Sequence, residues 1–405
     1  MNALALDIRA ALGDDEINNI TLESYDHEQI SANRFILSLR SKVFREMFSD
    51  AQSDDDDDDL VMPMDYKGSV IRAMVHFCYT DEVLLKEITM NGHGGDQARQ
   101  VLMEEIASLV DLLHAADFFG MKELQSKLFP VICKFMARHP FAATYVVCNV
   151  AAENAIKWNL MDVAQKIISI RPKMALTQQV LLKADQSQIS KLINPLSAEG
   201  NEEWCLSLLE DWVDASASVE TKERRMVAAQ YVSSTLQLDN LDPQTLGSFV
   251  DRGKVVTAEA GLKAFRKQAE TWKNGTPYAF VNARRISEGG DVVLVHGCGN
   301  TEVNGVYVFT EQMPDSDVGH HYVLNRTIRD TGSPTNKREC YVLEEDLAER
   351  TWYVRKGESD LLFKAPFERV HDVTKVPFDS WETEEENADC KPPLMLLIPN
   401  SLSTR

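Results

Sequence analysis

No run of about 18 consecutive apolar residues occurs in this sequence, so a membrane-spanning helix is not predicted. The opening "MNALALDIRAALGDDE" lacks the basic segment and long apolar core of a secretory leader. Without export, "NIT", "NGT" and "NRT" read as chance matches to the glycosylation pattern. Cysteine is scarce. Cys78, Cys133, Cys148, Cys205, Cys298, Cys340 and Cys390 are odd in number and form no C-x-x-C pair. Neither a disulfide framework nor a zinc module is expected. Their apolar settings ("FCY", "VIC", "VVC") suit small buried hydrophobes in a reducing compartment. Positive charge is short as well: 42 Lys and Arg stand against 63 Asp and Glu, for a net charge of −21. Such a surface repels phosphate, so neither nucleic acid nor a membrane is an expected partner.

Catalytic motifs are missing too. No G-x-S-x-G is present. "GGDVVLVHGCGNTEVNG" places Gly297 and Gly299 after a strand, but strand-like "NGVYVFT" follows. A phosphate site needs a helix N-terminus there, so the stretch reads as a tight β-turn. "DRGKVVTAE" lacks P-loop spacing. His320 and His321 are adjacent, and neighbours on a strand point to opposite faces, which makes a poor metal pair. His114 and Asp117 share the "LLHAADFF" helix, where structural hydrogen bonding or exposure is the reading. Nothing assembles a nucleophile, base and oxyanion donor. No catalytic residue, metal or cofactor is expected, and the chain is not expected to be an enzyme.

What is present is a globular chain of 405 residues, 44% hydrophobic, long enough for two or three cores. Three textures divide it. In residues 1–130 short strands mix with helices. "NNITLES" and "EQISANRF" read as strands. "FILSLRSKVFREMFSD" carries Ile36, Leu39, Val43, Phe44, Met47 and Phe48 at helical spacing. "SVIRAMVHFCYTDEV" continues with Val70, Ile71, Met74, Val75 and Phe77. An acidic loop at 50–59 contains six consecutive aspartates, Asp54 to Asp59, which stay solvated. A Gly-rich loop is expected at 91–100. "IASLVDLLHAADFFGMKELQSKLFPVICKFM" gives two helices split at Gly120. Residues 131–272 are helical in pattern: "ENAIKWNLMDVAQKII" and "NEEWCLSLLEDWV" each show one apolar stripe. Asn201 is expected as one N-cap, and Asp242 with Pro243 as another start. From about 276 to 400 the period becomes two, with "DVVLVHG", "NGVYVFT", "HHYVLN", "CYVLEE", "TWYVRKG" and "LLFKAP" as short strands. The fold class expected is multidomain: α+β, then all-α, then all-β.

The stretch "ITLESYDHEQISANRFILSLRSKVFREMFSD…LVMPMDY…VIRAMVHFCYTDEV…LVDLLHAADFFGMKELQSKL" resembles a BTB/POZ domain over roughly residues 15–130. This chain departs from the family at Asn18 and Asn19, where Asp is common; at Asn33, where His is favoured; and at Asp81, where Gly is favoured. Residues 131–270 resemble the helical BACK domain that commonly follows. "GCGNTEVNGVY" looks like the Val-Asn-Gly-x-Tyr motif of small β-domains, placing Gly297, Gly299, Val303, Asn304, Gly305 and Tyr307 in it.

The resemblance implies a non-catalytic, cytosolic or nuclear eukaryotic adaptor. It implies a homodimer paired through the N-terminal helix, with Leu4, Leu6, Ile8 and Leu12 as interface candidates. It implies docking on a cullin scaffold through Met47, Phe48, Asp50, Tyr79, Asp117 and Phe118, where an aromatic or Met anchor fills a pocket. The adaptor would then be a substrate receptor of a cullin-RING ubiquitin ligase, its β-domain recruiting an unknown client protein. Such adaptors usually carry a hydrophobic-x-Glu element soon after "MF"; here "SDAQSDDDDDD" stands in its place. Alternatives are a scaffold or transcriptional co-regulator independent of cullin, and a ligand-binding or hydrolytic β-domain fused to the same front.

Overall fold

The computed structural model describes residues 3–14, 16–50, 61–84, 96–176, 184–198, 202–215, 221–273, 291–296, 298, 303–309, 318–328, 337–346, 349, 351–357, 360–366, 381–383 and 393–398. The acidic run Asp54–Asp59, the N-cap candidate Asn201, and Gly297, Gly299 and Cys390 lie outside them. The chain divides into two compact units, Met1–Phe135 and Met136–Arg405.

The first unit runs α1 (Ala3–Ala10), β1 (Ile20–Ser24), β2 (Gln29–Ala32), α2 (Arg34–Arg40), α3 (Lys42–Asp50), β3 (Val61–Met64), α4 (Gly68–Thr80), α5 (Asp96–Phe118) and α6 (Lys122–Arg138). Its sheet has the order β2-β1-β3, with β1 antiparallel to β2 and parallel to β3. Helix α4 is buried nearly all round: Val70, Ile71, Met74, Val75, Phe77 and Cys78 are all interior, which marks a central helix. Against it α5 turns Leu102, Ile106, Leu109 and Leu113 inward, at the spacing of one helix face. Each such side chain contributes about 1.5–3 kcal/mol on burial. Gly120, at φ 65°, makes the α5–α6 turn where only glycine adopts that backbone without strain.

Two expectations for this unit are corrected. The continuous helical pattern over 35–50 is two helices, because Ser41 is extended (φ −140°, ψ 124°). Its hydroxyl donates to the Phe119 carbonyl at 2.7 Å and accepts from Phe44 N–H at 3.1 Å. The break shifts the helical phase, so Leu37 enters the core while Leu39 is exposed. The Gly-rich loop ends earlier than expected, since α5 begins at Asp96.

The second unit opens with helices. α7 (Pro140–Asn149), α8 (Ala152–Lys157), α9 (Leu160–Ile170), α10 (Pro172–Ala175), α11 (Gln186–Ala198), α12 (Glu202–Asp214), α13 (Thr221–Ser234), α14 (Pro243–Arg252) and α15 (Ala258–Lys273) follow one another. The stripe over 153–168 breaks at Asn159, which is left-handed (φ 56°). Beyond it Leu160, Val163, Ile167 and Ile168 are buried as the stripe requires. Asp242 caps α14 as expected, accepting from Thr245 N–H at 2.9 Å.

Among the described residues eight strands follow: β4 (Val292–His296), β5 (Gly305–Phe309), β6 (Val318–Ile328), β7 (Lys337–Asp346), β8 (Thr351–Lys356), β9 (Asp360–Pro366), β10 (Glu382–Thr383) and β11 (Leu394–Ile398). They form one sheet, β10-β9-β8-β7-β6-β5-β4-β11, whose neighbours are all antiparallel. The last strand returns to pair with the first of the eight. Its segment "LMLLI" is a continuous apolar run, which the period-two reading passes over.

Candidate functional site

The residues singled out on the first unit separate by burial. Tyr79 is only 4% exposed. Its hydroxyl donates to Asn18 Oδ1 at 3.0 Å and accepts from Asn33 N–H at 2.8 Å. It ties α4 to the start of α2 from inside the domain. Phe48 is 6% exposed and stacks on Phe44, ring centroids 5.6 Å apart. Helices α3 and α4 turn both side chains toward the core of the domain. Asp50 ends α3. Asp117 is half-buried and accepts from Gln125 Nε2 at 3.2 Å, which links α5 to α6 across the glycine turn.

Met47 and Phe118 behave differently. Phe118 is 59% exposed, and Met47 is half-buried on the outer side of α3. Both line one open groove of about 660 Å³, with Phe119 and Met64 as buried apolar wall and Tyr25, Pro63 and Tyr66 completing it. A ladder of rings joins this groove to the core. Phe44 stacks on Phe119 at 4.3 Å, Phe119 meets Phe118 edge-on at 5.0 Å, and Tyr66 tilts over Phe119 at 6.2 Å. Phe118 thus keeps one edge-on contact with the buried Phe119 while more than half of its surface faces solvent.

The polar side of the groove holds Asp65, Lys67, Asp111 and His114. Tyr66 Oη and His114 Nδ1 share a hydrogen bond of 3.1 Å. Burial pushes the Tyr66 phenol up, and the negative charges of Asp111, Asp65 and Asp117 add to this, so the phenol keeps its proton. Burial also raises the Asp111 carboxyl, opposed by Lys67 and His114. The resemblance named Met47 and Phe118 on this groove and did not name Tyr66, Asp65 or Asp111. Helical spacing ranks apolar positions and carries no signal for a polar rim.

The four departures from the family pattern have local reasons. Asn33 is the N-cap of α2, its Oδ1 accepting from Phe35 N–H at 2.9 Å and Ile36 N–H at 3.3 Å. Asn19 Oδ1 accepts from Arg34 N–H at 2.9 Å, and Asn18 receives the Tyr79 hydroxyl. An uncharged amide oxygen suffices for all three. Asp81 is left-handed (φ 61°) at the end of α4, the conformation that glycine adopts most easily. Its carboxylate pairs with Arg40, which also donates to the Cys78 carbonyl at 3.1 Å.

At the N-terminus Leu6 is 51% exposed, while Ile8 and Leu12 are half-buried. Leu4 belongs to α1. Phe35 and Leu39, one turn apart on α2, are also exposed.

The Val-Asn-Gly-x-Tyr motif of the sheet is structural where it is described. Asn304 Oδ1 accepts from Cys298 N–H at 2.9 Å, and its Nδ2 donates to the Cys298 carbonyl at 3.2 Å. Val303 is fully buried, and Tyr307 Oη donates back to the Val303 carbonyl at 3.0 Å. Gly305 leaves room for Leu324 on the neighbouring strand; a Cβ there would lie 3.0 Å from its methyl groups. The interior face of the sheet is filled by Tyr307, Tyr341, Trp352, Phe363 and Trp381.

Among the described residues no three His, Cys, Asp or Glu gather to hold a metal, and no helix is long and apolar enough to cross a membrane. Cys78, Cys133, Cys205 and Cys298 are buried, and burial pushes the Cys78 thiol up to about 12.

The family model of the BTB/POZ domain matches residues 12–135. A curated relative is the BTB/POZ and MATH domain-containing protein 6 of Arabidopsis thaliana, 28% identical over 107 residues, which are 26% of this chain and 25% of that protein. The chain thus matches about a quarter of the length of that relative. The three-stranded sheet, the central α4 and the aromatic groove all lie within the matched stretch: residues 12–135 of this chain are a BTB/POZ domain, a class that generally mediates pairing between proteins.

Proposed function

We propose that this chain is a non-catalytic BTB adaptor, and that its groove docks a cullin scaffold as part of a cullin-RING ubiquitin ligase. One observation carries the reading: Met47 of α3 and Phe118 of α5, far apart in sequence, meet on the wall of one open groove. An exposed aromatic and a Met lining one groove are the composition of a protein-binding hot spot. In this role the adaptor raises the effective concentration of client lysines near a ubiquitin-loaded enzyme. The helical stretch acts as a BACK-like spacer, and the sheet region selects the client. Pairing through α1 presents two sheet regions and gives avidity for a repeated target. The setting is the cytosol or nucleus.

The test is a pull-down of a purified cullin N-terminal domain by the full chain and by Met47→Asp/Phe118→Asp. Binding by the parent and its loss in the variant, with circular dichroism unchanged, is the expected result. Binding that survives the double change overturns the placement of the docking surface. The run "SDAQSDDDDDD", in place of a hydrophobic-x-Glu element, favours a second reading: a scaffold or co-regulator that uses the same groove without cullin. An intact chain that captures no cullin supports that reading. The filled aromatic interior of the sheet weighs toward a client-binding exterior and against a ligand cavity or hydrolytic site.

A further inference from the structure

We propose that the groove selects a basic amphipathic segment: a bulky apolar side chain seats against Met47 and Phe118, and a Lys or Arg beside it meets Asp65 and Asp111. The inference rests on the reading of the groove as a docking surface and adds the chemistry of the occupant.

The apolar half of the groove alone would accept any hydrophobic segment, so the choice of partner falls to the polar rim. Asp65 stands exposed on that rim. Asp111 is half-buried and lines the same groove. Asp117 is close enough for its charge to be felt at Tyr66. Lys67 lies on the same rim and offsets one of these carboxylates, so negative charge remains in excess. Burial of Asp111 removes part of its hydration. A partner's ammonium or guanidinium entering the groove restores the lost stabilisation, which makes the ion pair worth more there than on open surface. A carboxylate entering the same place meets like charge and gains nothing. The Tyr66 phenol, kept protonated and bonded to His114, presents a neutral polar edge between the apolar and charged halves.

The net charge of −21 attracts every basic peptide to some degree. The test therefore separates the groove from the bulk. Three fluorescent helical peptides share the same Leu and Phe anchors and differ only in flanking Lys, Gln or Glu. Anisotropy titrations against the full chain at physiological ionic strength should rank them Lys, Gln, Glu, with the Lys peptide about tenfold tighter than the Gln peptide. Asp65→Asn/Asp111→Asn should shrink that gap to about twofold while leaving the Gln peptide unchanged. Asp65→Asn alone, at an exposed position, should move it in the same direction. Phe118→Asp should weaken all three peptides. Equal or tighter binding of the Glu peptide overturns the proposal. So does a Lys preference that persists undiminished in the double amide variant, because the attraction then belongs to the whole surface. Failure to capture cullin with the Lys preference intact removes the ligase reading alone. Indifference of every peptide to Phe118→Asp removes the docking groove itself.

Discussion

Aromatic side chains do opposite jobs in the front domain and the terminal sheet. In the BTB unit the ladder from Phe44 through Phe119 ends on Phe118, more than half exposed beside Met47. In the sheet Tyr307, Tyr341 and Trp352 are sealed, with at most 1% of their surface left. The first arrangement leaves apolar area uncovered that a partner can bury. The second spends that area on its own stability. On the proposed reading the same residue class is worth stability in one region and affinity in the other, and substitution should separate the two.

The largest effect is expected at Trp352. Trp352→Ala should destabilise the sheet by about 3–5 kcal/mol, whereas Phe118→Ala should change stability by less than about 0.5 kcal/mol. Denaturant melts of the full chain followed by circular dichroism check both, and equal losses would erase the contrast. Next comes Tyr79, the interior residue that sits closest in role to a surface anchor. Tyr79→Phe removes one partner from each of two hydrogen bonds and should cost about 1–3 kcal/mol. It should leave affinity for any groove ligand within about twofold, since that ring is not on the wall. Asn304→Ala should cost about 1–2 kcal/mol by freeing both main-chain groups of Cys298. Hydrogen exchange at 298 and 304–307 would rise first.

The last expected effect concerns pH. Burial of His139, with the nearby Arg138 charge adding to it, lowers its imidazole from 6.5 to about 4. The unfolded chain therefore binds the proton first. The stability tied to neutral His139 is complete above pH 6.5 and is lost as pH falls from there through about 4. His139→Gln should flatten the acid limb of a stability–pH curve over that window. An unchanged slope would mean that the imidazole is solvated.

Much of the front domain was legible in the letters. The alternation in "ITLES", the apolar face of α4 and the glycine between α5 and α6 fixed element type and order, because each follows from local periodicity or backbone freedom. The break at Ser41 was not legible. A serine is compatible with continuing the helix or with capping the next one, and here its hydroxyl both accepts from Phe44 N–H and donates to the Phe119 carbonyl in a distant part of the chain. The docking residues divided for the same reason. Met47 and Phe48 are neighbours, as are Phe118 and Phe119, and nothing in either pair tells which member faces outward.

Composition and pattern by themselves determined an acidic chain, a mixed front domain, a helical middle and a period-two end, since each depends on properties that residues carry with them. Only the tertiary structure decided that Tyr79 is a tie and Phe118 an open face, that Asp65 and Asp111 share a groove, and that the Val-Asn-Gly-x-Tyr segment closes on Cys298. Exposure and encounter are properties of pairs of distant segments. They are settled by how helices and strands cover one another, which no local sequence window contains.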